Sequence, residues 1–394
     1  MNQSLRVPLC PLWLNSPVLS LEFLPERDAE FFAEIPAAPA VFLLRADDAQ
    51  AEPYVSKTTN LKRRLTRLLS APEERARRLN LRDRVRHVEY TLTGSDFESG
   101  LLLYRTLRRV FPQSHRDRLR LRFPPLVKFN LDNPWPRAYV TQRITGLRGA
   151  SVYYGPFSTR AAAEKFLNDS LDLFKIRRCD FEIHPDPAYP GCIYSEMKMC
   201  LAPCFAGCTE EQYRDEVSRV RTFLDTNGQS LVREFSEQRE RASASLEFEQ
   251  AAALHARIER ITAAARLPEI VRRLDVLAGV VVQPAAESGS VALFRFQRGV
   301  LADPVLFPVQ QAEGKPQSME SRLEEALVGV EASARTSAIE MMENLAILKR
   351  WYYRSVKVGE IFFTDGQSEL PLRRLVRGIS RVFRGEKAEV ATSF

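Results

Sequence analysis

No run of apolar residues in this chain approaches the ~20 needed to cross a bilayer as a helix, so a helical membrane protein is excluded. The opening text, MNQSLRVPLCPLWL, has no basic segment ahead of an apolar one and no clean small-residue cleavage site. A disulfide-stapled secreted chain is therefore not expected, and a cytoplasmic location is. Cysteine is nearly missing: outside one stretch there is only Cys10, which alone reads as a small buried hydrophobe. An acidic surplus is missing too. The 57 Lys and Arg outnumber the 50 Asp and Glu, giving a net charge of +7 and a pI near 9.1. Arg supplies most of the positive charge, and its forked guanidinium suits phosphate, so a nucleic-acid partner is a reasonable expectation. The 394 residues suffice for two to four domains, and 45% hydrophobic with 27% charged residues is a globular composition.

What is present is a stretch from Cys179 to Cys208, CDFEIHPDPAYPGCIYSEMKMCLAPCFAGC, holding five of the six cysteines. Seven residues separate Cys192 from Cys200 and three separate Cys200 from Cys204. With Cys179 upstream, a short helix or loop can bring four thiolates to one centre. Soft thiolates select zinc or an iron–sulfur cluster, and spacing does not choose between them. Cys208 is the spare, although spacing also permits it in place of Cys204.

From Ala37, AAPAVFLLRADD and AEPYVSKTTNLKRRLTRLL read as two short strands joined by a polar turn and followed by a basic helix. Leu61, Leu65, Leu68 and Leu69 lie at helical spacing, and Lys62, Arg63, Arg64 and Arg67 cover the other face. Val88, Tyr90 and Leu92 alternate as in a strand, and Asp96 to Val110 forms an amphipathic helix. The run HRDRLRLR, with Arg118 and Arg120, is either a solvated face or, beside the first basic helix, part of a groove for a phosphate backbone. Residues 1–30 show no clear period.

Two strands around a glycine-rich turn lead through Gly155-Pro156 to a helix capped by Ser158 or Thr159. Thr209, followed by Glu210 and Glu211, opens helical text that runs to about Ala265. Within it Phe248, Ala252, Leu254 and Ile258 are the apolar points of a hairpin that packs on its own domain or docks a partner. Three strands are expected over 274–309, helix over 319–350, a strand at Glu360 and a loose tail over SRVFRGEKAEVATSF. Trp351, Tyr352 and Tyr353 beside Arg350, Arg354 and Lys357 form either a clamp for single-stranded nucleic acid or an aromatic cluster at the core edge.

Four of these stretches, in order, resemble one family, the C component of excinuclease ABC, which makes the incisions in bacterial nucleotide excision repair. PAVFLL with YVSKTTNLKRRL is similar to its GIY-YIG nuclease core, and VYYGPF to a segment between nuclease and cysteines. The cysteine spacing before LAPC is similar to a segment that holds an iron–sulfur cluster in members of the family. LEFEQAAALHARIERI is similar to the hairpin through which the B and C components of the excinuclease pair. The resemblance runs from about Ala37 to Ile261, and more loosely to Val309. It implies Tyr54, Arg64 and Lys57 as catalytic candidates, and Cys179, Cys192, Cys200 and Cys204 as cluster ligands with zinc as the alternative. It also implies a partner like the excinuclease B component at Phe248, Ala252, Leu254 and Ile258. DNA contacts are expected at Lys62, Arg63, Arg67, Arg118 and Arg120.

The departures bear on the chemistry. Phe42 replaces the first motif's tyrosine, Ser56 the second motif's glycine, and Leu68 a further tyrosine. The position of the metal-binding glutamate falls on Leu103 or Tyr104, neither of which ligates magnesium. Glu98 lies five or six residues earlier and points to a different part of the helix. Mg2+ is expected only if the nuclease is active. The family's RNase H-like half has no complete counterpart, so the resemblance is to a shortened, motif-degenerate member in which 274–394 is either a shortened remnant or a lineage-specific ending.

The expected fold is α+β and multidomain: an N-terminal segment (1–36), a degenerate GIY-YIG-like domain (37–122), an α/β connector (123–178), a cysteine module (179–208), a helical region with a hairpin at about 238–265 (209–267), and a mixed C-terminal domain (268–394). The function implied is a repair protein that binds DNA and a partner after losing 3′ incision. The alternatives are an active endonuclease and a non-catalytic iron–sulfur or zinc adaptor.

Overall fold

The structure, a computed structural model, describes residues 18–48, 50–71, 79–145, 149–310, 317–330, 336–365 and 369–386. Cys10, residues 146–148 of the glycine-rich turn and residues 387–394 of the tail lie outside the described residues. Strand β1 (Leu19–Glu22) and helix α1 (Asp28–Glu34) precede β2 (Ala40–Arg45), β3 (Tyr54–Thr58), α2 (Leu61–Leu69), β4 (His87–Leu92) and α3 (Asp96–Val110). The four strands form an antiparallel sheet in the order β1-β4-β2-β3. Side chains on a strand alternate between faces, so Ala40, Phe42 and Leu44 share one face. They meet Leu61, Leu65 and Leu68 of α2 in a core that also contains Phe23, Phe31 and Ile35. Residues 19–35, which show no sequence period, therefore supply an edge strand and part of this core. Asn60 caps α2 by accepting the Arg63 N–H at 2.9 Å, and Ser95 caps α3 by accepting the Glu98 N–H at 3.1 Å.

Next come α4 (His115–Leu119), β5 (Leu126–Asn130), β6 (Arg137–Thr141), β7 (Val152–Gly155) and α5 (Arg160–Leu171). Thr159 provides the α5 cap. Strand β5, absent from the expected elements, is the centre of the second sheet. Beyond the short α6 (Ile193–Glu196) stand α7 (Glu210–Asp225), α8 (Gln229–Ala244) and α9 (Phe248–Ala264). Thr209 and Gln212 form a reciprocal capping box at the start of α7. Left-handed residues interrupt the helical text at Asn227-Gly228 and at Leu246. The second sheet is completed by β8 (Arg272–Arg273) in the order β6-β5-β7-β8.

The third sheet holds β9 (Ala278–Pro284), β10 (Ser290–Gln297), β11 (Val300–Leu301) and β12 (Val305–Pro308), one strand more than expected. After α10 (Met319–Leu327) and α11 (Ala338–Tyr352), β13 (Glu360–Phe363) joins its far edge, and α12 (Leu372–Phe383) follows. The continuous run Val280-Val281-Val282 means both faces are covered. Val280 and Val282 pack with Leu323 of α10 and Leu375 and Ile379 of α12, while Val281 enters the main core with Phe294 and Leu345. The expectation of a loose tail is corrected here: Ser380–Phe383 end a docked helix. A Cβ on Gly378 would stand 2.1 Å from the Phe362 ring, so only glycine allows the approach. Two 2.8 Å bonds from Arg381 to Glu360 fix the register.

Helix α3 joins the modules. Phe97, Leu101 and Tyr104 enter the main core with Phe294 and Trp351, whereas Leu102 and Thr106 border a hollow against Val41 and Leu43 of the first sheet.

Candidate nucleic-acid interface

Two of the three catalytic candidates meet. Arg64, on the inner side of α2, donates from Nη2 to the Tyr54 hydroxyl at 2.7 Å. Its Nε–H is buried and finds no partner among the described residues. Phe42 lies beside them with ring centroids 6.1 Å apart from Tyr54, but it is 1% exposed and belongs to the apolar core. Leu68 is buried in that core as well. Ser56 stands opposite Phe42, and its hydroxyl donates to the Lys57 carbonyl at 3.4 Å.

Lys57 is not part of this group. Three residues along the strand from Tyr54, it emerges on the opposite face, paired with Val41 and turned toward α3. There its Nζ meets Asp96 Oδ1 at 2.5 Å, and Arg354 takes Asp96 Oδ2. Burial alone would raise the Asp96 pKa, but Lys57 and Arg354 outweigh it and hold the carboxyl below its usual range. Leu103 and Tyr104 line the same cleft.

Tyr104, at the expected metal-ligand position, is 2% exposed and donates its hydroxyl to Glu343 at 2.8 Å. Burial, reinforced by Glu343, raises its pKa. Glu98 turns away from both groups. It is 8% exposed, accepts the Gly94 N–H at 2.7 Å, and has its pKa pushed up to about 7 by burial. Among the described residues no group of three His, Cys, Asp or Glu side chains is arranged to hold a metal ion.

The cations expected to contact DNA divide into two sets. Lys62, Arg63 and Arg67 stand on the outer side of α2 and make no ion pair among the described residues. Arg118 is committed: it pairs with Glu52 at 2.5 Å and lies 3.8 Å over the Phe111 ring. Arg120 is exposed in the left-handed conformation that ends α4. The aromatic clamp is a core edge instead. Trp351 is 4% exposed and bonds the Val358 carbonyl at 3.0 Å, and Tyr353 bonds the Pro156 carbonyl at 3.0 Å. The Trp351 ring is therefore closed to a stacking base, and Tyr352 and Tyr353 are half-buried.

All five described cysteines are free thiols. Burial raises the Cys200 thiol to about 11, with Cys179, Cys192 and Cys204 adding to the rise, so the four expected ligands feel one another's charge. Cys208 is raised by burial and by Cys204. The donor set is thus chemically that of a soft-metal or cluster site, while the thiols do not form a closed ligand set.

In the hairpin, Leu254 and Ile258 are half-buried against the main core, whereas Phe248 is 66% exposed and Ala252 is exposed. Leu246, which apolar spacing does not single out, is 72% exposed at the tip. The residues that spacing alone could not supply are Asp96, Glu340 and Glu343, which act only through partners far along the chain.

Residues 125–223 match the UvrC/Cho excinuclease middle-domain family. The chain is 28% identical over 291 residues to the UvrABC system protein C of Haemophilus ducreyi, an alignment covering 71% of this chain and 45% of that protein. The protein of that name from Moorella thermoacetica is 29% identical over 232 residues, 59% of this chain and 37% of the relative. That of Stenotrophomonas maltophilia is 28% identical over 293 residues, 73% and 46%. The chain thus spans less than half the length of these relatives, and no solved structure matches it. With the middle-domain match and these relatives aligned over most of its length, the chain is similar to the UvrC family, the C component of excinuclease ABC.

Proposed function

We propose that this chain is a nucleotide excision repair protein that binds DNA and a partner like the excinuclease B component, and does not itself make the 3′ incision. The observation that carries this reading is the split of the nuclease site. Tyr54 and Arg64 lie together beside Lys62, Arg63 and Arg67, which are unpaired among the described residues, while Leu103 and Tyr104 stand at the positions where the resemblance expects a metal carboxylate and the Tyr104 hydroxyl is spent on Glu343. Phosphodiester cleavage needs charge neutralisation at the transition state and a route for the proton of attacking water. Phe42 has no hydroxyl to relay that proton. Phosphate binding needs only cations and N–H donors, and Lys62, Arg63 and Arg67 present such cations on the outer side of α2.

In the same reading Phe248, Ala252 and Leu246 at the hairpin tip meet the partner, while Leu254 and Ile258 hold the hairpin to the core. Cys179, Cys192, Cys200 and Cys204 hold an iron–sulfur cluster, or zinc in its place; when bound it ties distant points of an otherwise helix-poor segment together.

The test is incision of a single-lesion duplex by the full chain with the pathway's damage-loading proteins and titrated Mg2+ or Mn2+. Lesion-DNA complexes without cleavage are expected. Cleavage 3′ of the lesion that disappears in Arg64→Ala would overturn the reading in favour of an active nuclease.

A further inference from the structure

The cleft between α3 and α11 holds more cations than its own carboxylate can satisfy. Lys57 enters from β3, and Arg350 and Arg354 from the last turn of α11 and the turn beyond it. Asp96 is the single carboxylate among the described residues that line it. Its two oxygens are divided between Lys57 and Arg354. Arg350 is exposed and donates from Nη2 to the Arg120 carbonyl at 3.1 Å. Its Nε and Nη1 have no partner among the described residues.

We propose that this cleft binds a backbone phosphate of nucleic acid through Lys57, Arg350 and Arg354, and that the Asp96 carboxylate occupies the place of that phosphate in the free protein. The inference rests on the DNA-binding reading and adds a second contact on the far side of the sheet from α2. A carboxylate and a backbone phosphodiester each spread one negative charge over two oxygens, so Asp96 bonding Lys57 and Arg354 imitates the phosphate, whose oxygens also accept from the open donors of Arg350. The exchange buries no bare charge, because the Asp96 side chain is 51% exposed and swings into solvent when displaced. Neutralisation comes from protein cations alone, so no divalent ion is needed.

A surface ion pair that merely fastens α11 to α3 predicts a different outcome, which makes Asp96 the informative residue. The measurement is fluorescence anisotropy of a labelled duplex with the full chain, across a salt series, with and without EDTA. Arg354→Gln is expected to weaken binding about fivefold and to lower the salt slope by about one. Asp96→Asn is expected to tighten binding about threefold, a gain that misfolding cannot produce. EDTA is expected to change neither.

If wild type binds DNA and both variants bind equally well, this inference fails and the DNA-binding reading stands. If wild type does not bind, both fail. Binding that requires a divalent ion also overturns it. Calorimetric titration with inorganic phosphate separates the other source of the same chemistry. Phosphate binding abolished by Arg354→Gln, with DNA affinity unchanged, would give the cleft to a free phosphate ion and overturn the nucleic-acid assignment.

Discussion

Tyr104 of α3 donates its phenolic hydroxyl to Glu343 of α11 at 2.8 Å, a bond between residues 239 positions apart. The other Glu343 oxygen lies 2.9 Å from His115 Nε2, and Glu343 is 1% exposed. Tyr104, one of the two positions where a metal carboxylate was expected, is thus half of a buried hydrogen bond that joins α3 to α11.

Removing the Glu343 carboxylate would strand two buried polar partners, the Tyr104 hydroxyl and His115 Nε2. Glu343→Ala is expected to cost about 3 kcal/mol, and Tyr104→Phe, which leaves Glu343 bonded to His115, about 1 kcal/mol. Urea unfolding followed by tryptophan fluorescence measures both. Equal, small losses would show that the network does not fasten α11 to α3.

Much of the local structure was legible because its causes are local. The helix over Asp96–Val110 follows from a Ser95 cap and apolar spacing, and α2 from its leucines. What was not legible depends on distant partners. The segment before Ala37 has no period because only Phe23, Phe31 and Ile35 need to reach a core made by other elements. The last turn of α12, Ser380–Phe383, read as part of a loose tail because its apolar contact, Val382, extends a narrow stripe with Leu375 and Ile379 that requires sheet three to cover it. For the site, the sequence shows Leu103 and Tyr104 where the resemblance expects a metal carboxylate. The separation of Lys57 from Tyr54 followed from strand parity, yet motif matching alone groups them. The pairing of Asp96 with Lys57 and Arg354 joins residues 39 and 258 positions apart, which no spacing rule reaches.

Glu98 should make stability fall as pH rises. Its folded pKa, about 7, lies above the ordinary carboxyl value of 4.5. Its contribution is therefore fully present below about pH 4.5 and is lost as pH rises through about 7, because the charged form is disfavoured in the buried site. The difference is at most about 3 kcal/mol. Glu98→Gln keeps the shape and removes the ionisation. Urea midpoints of wild type and variant should diverge between pH 5 and pH 8, the variant gaining; parallel curves would sink the assignment.

If the hairpin docks a partner as proposed, exposure separates its docking residues from its folding residues. Phe248→Asp places a charge where the side chain is 66% exposed, so the melting temperature should stay within about 2 °C. The complex with a partner like the excinuclease B component should weaken at least about tenfold, the size expected for an exposed aromatic anchor. Ile258→Asp charges a residue packed on the main core and should destabilise the fold by about 3 kcal/mol. Calorimetry for melting and surface plasmon resonance for binding distinguish the two. Loss of stability in Phe248→Asp would mean that the tip is internal packing.

The cysteine proposal makes a claim about stoichiometry and about which thiol is spare. After oxygen-free purification the full chain should carry about four irons with matching sulfide, or one zinc, per molecule. Cys200→Ser should lose the metal, because Cys200 is the thiol whose charge is coupled to Cys179, Cys192 and Cys204 together. Cys208→Ser should keep it, since Cys208 is coupled only to Cys204. Because ligation requires thiolates and the metal-free Cys200 thiol titrates near 11, binding must release protons, and affinity should rise with pH until those thiols ionise. Elemental analysis of the three proteins decides the matter. Neither iron nor zinc in wild type would remove the metal site, while retention in Cys200→Ser with loss in Cys208→Ser would move the ligand set one cysteine downstream.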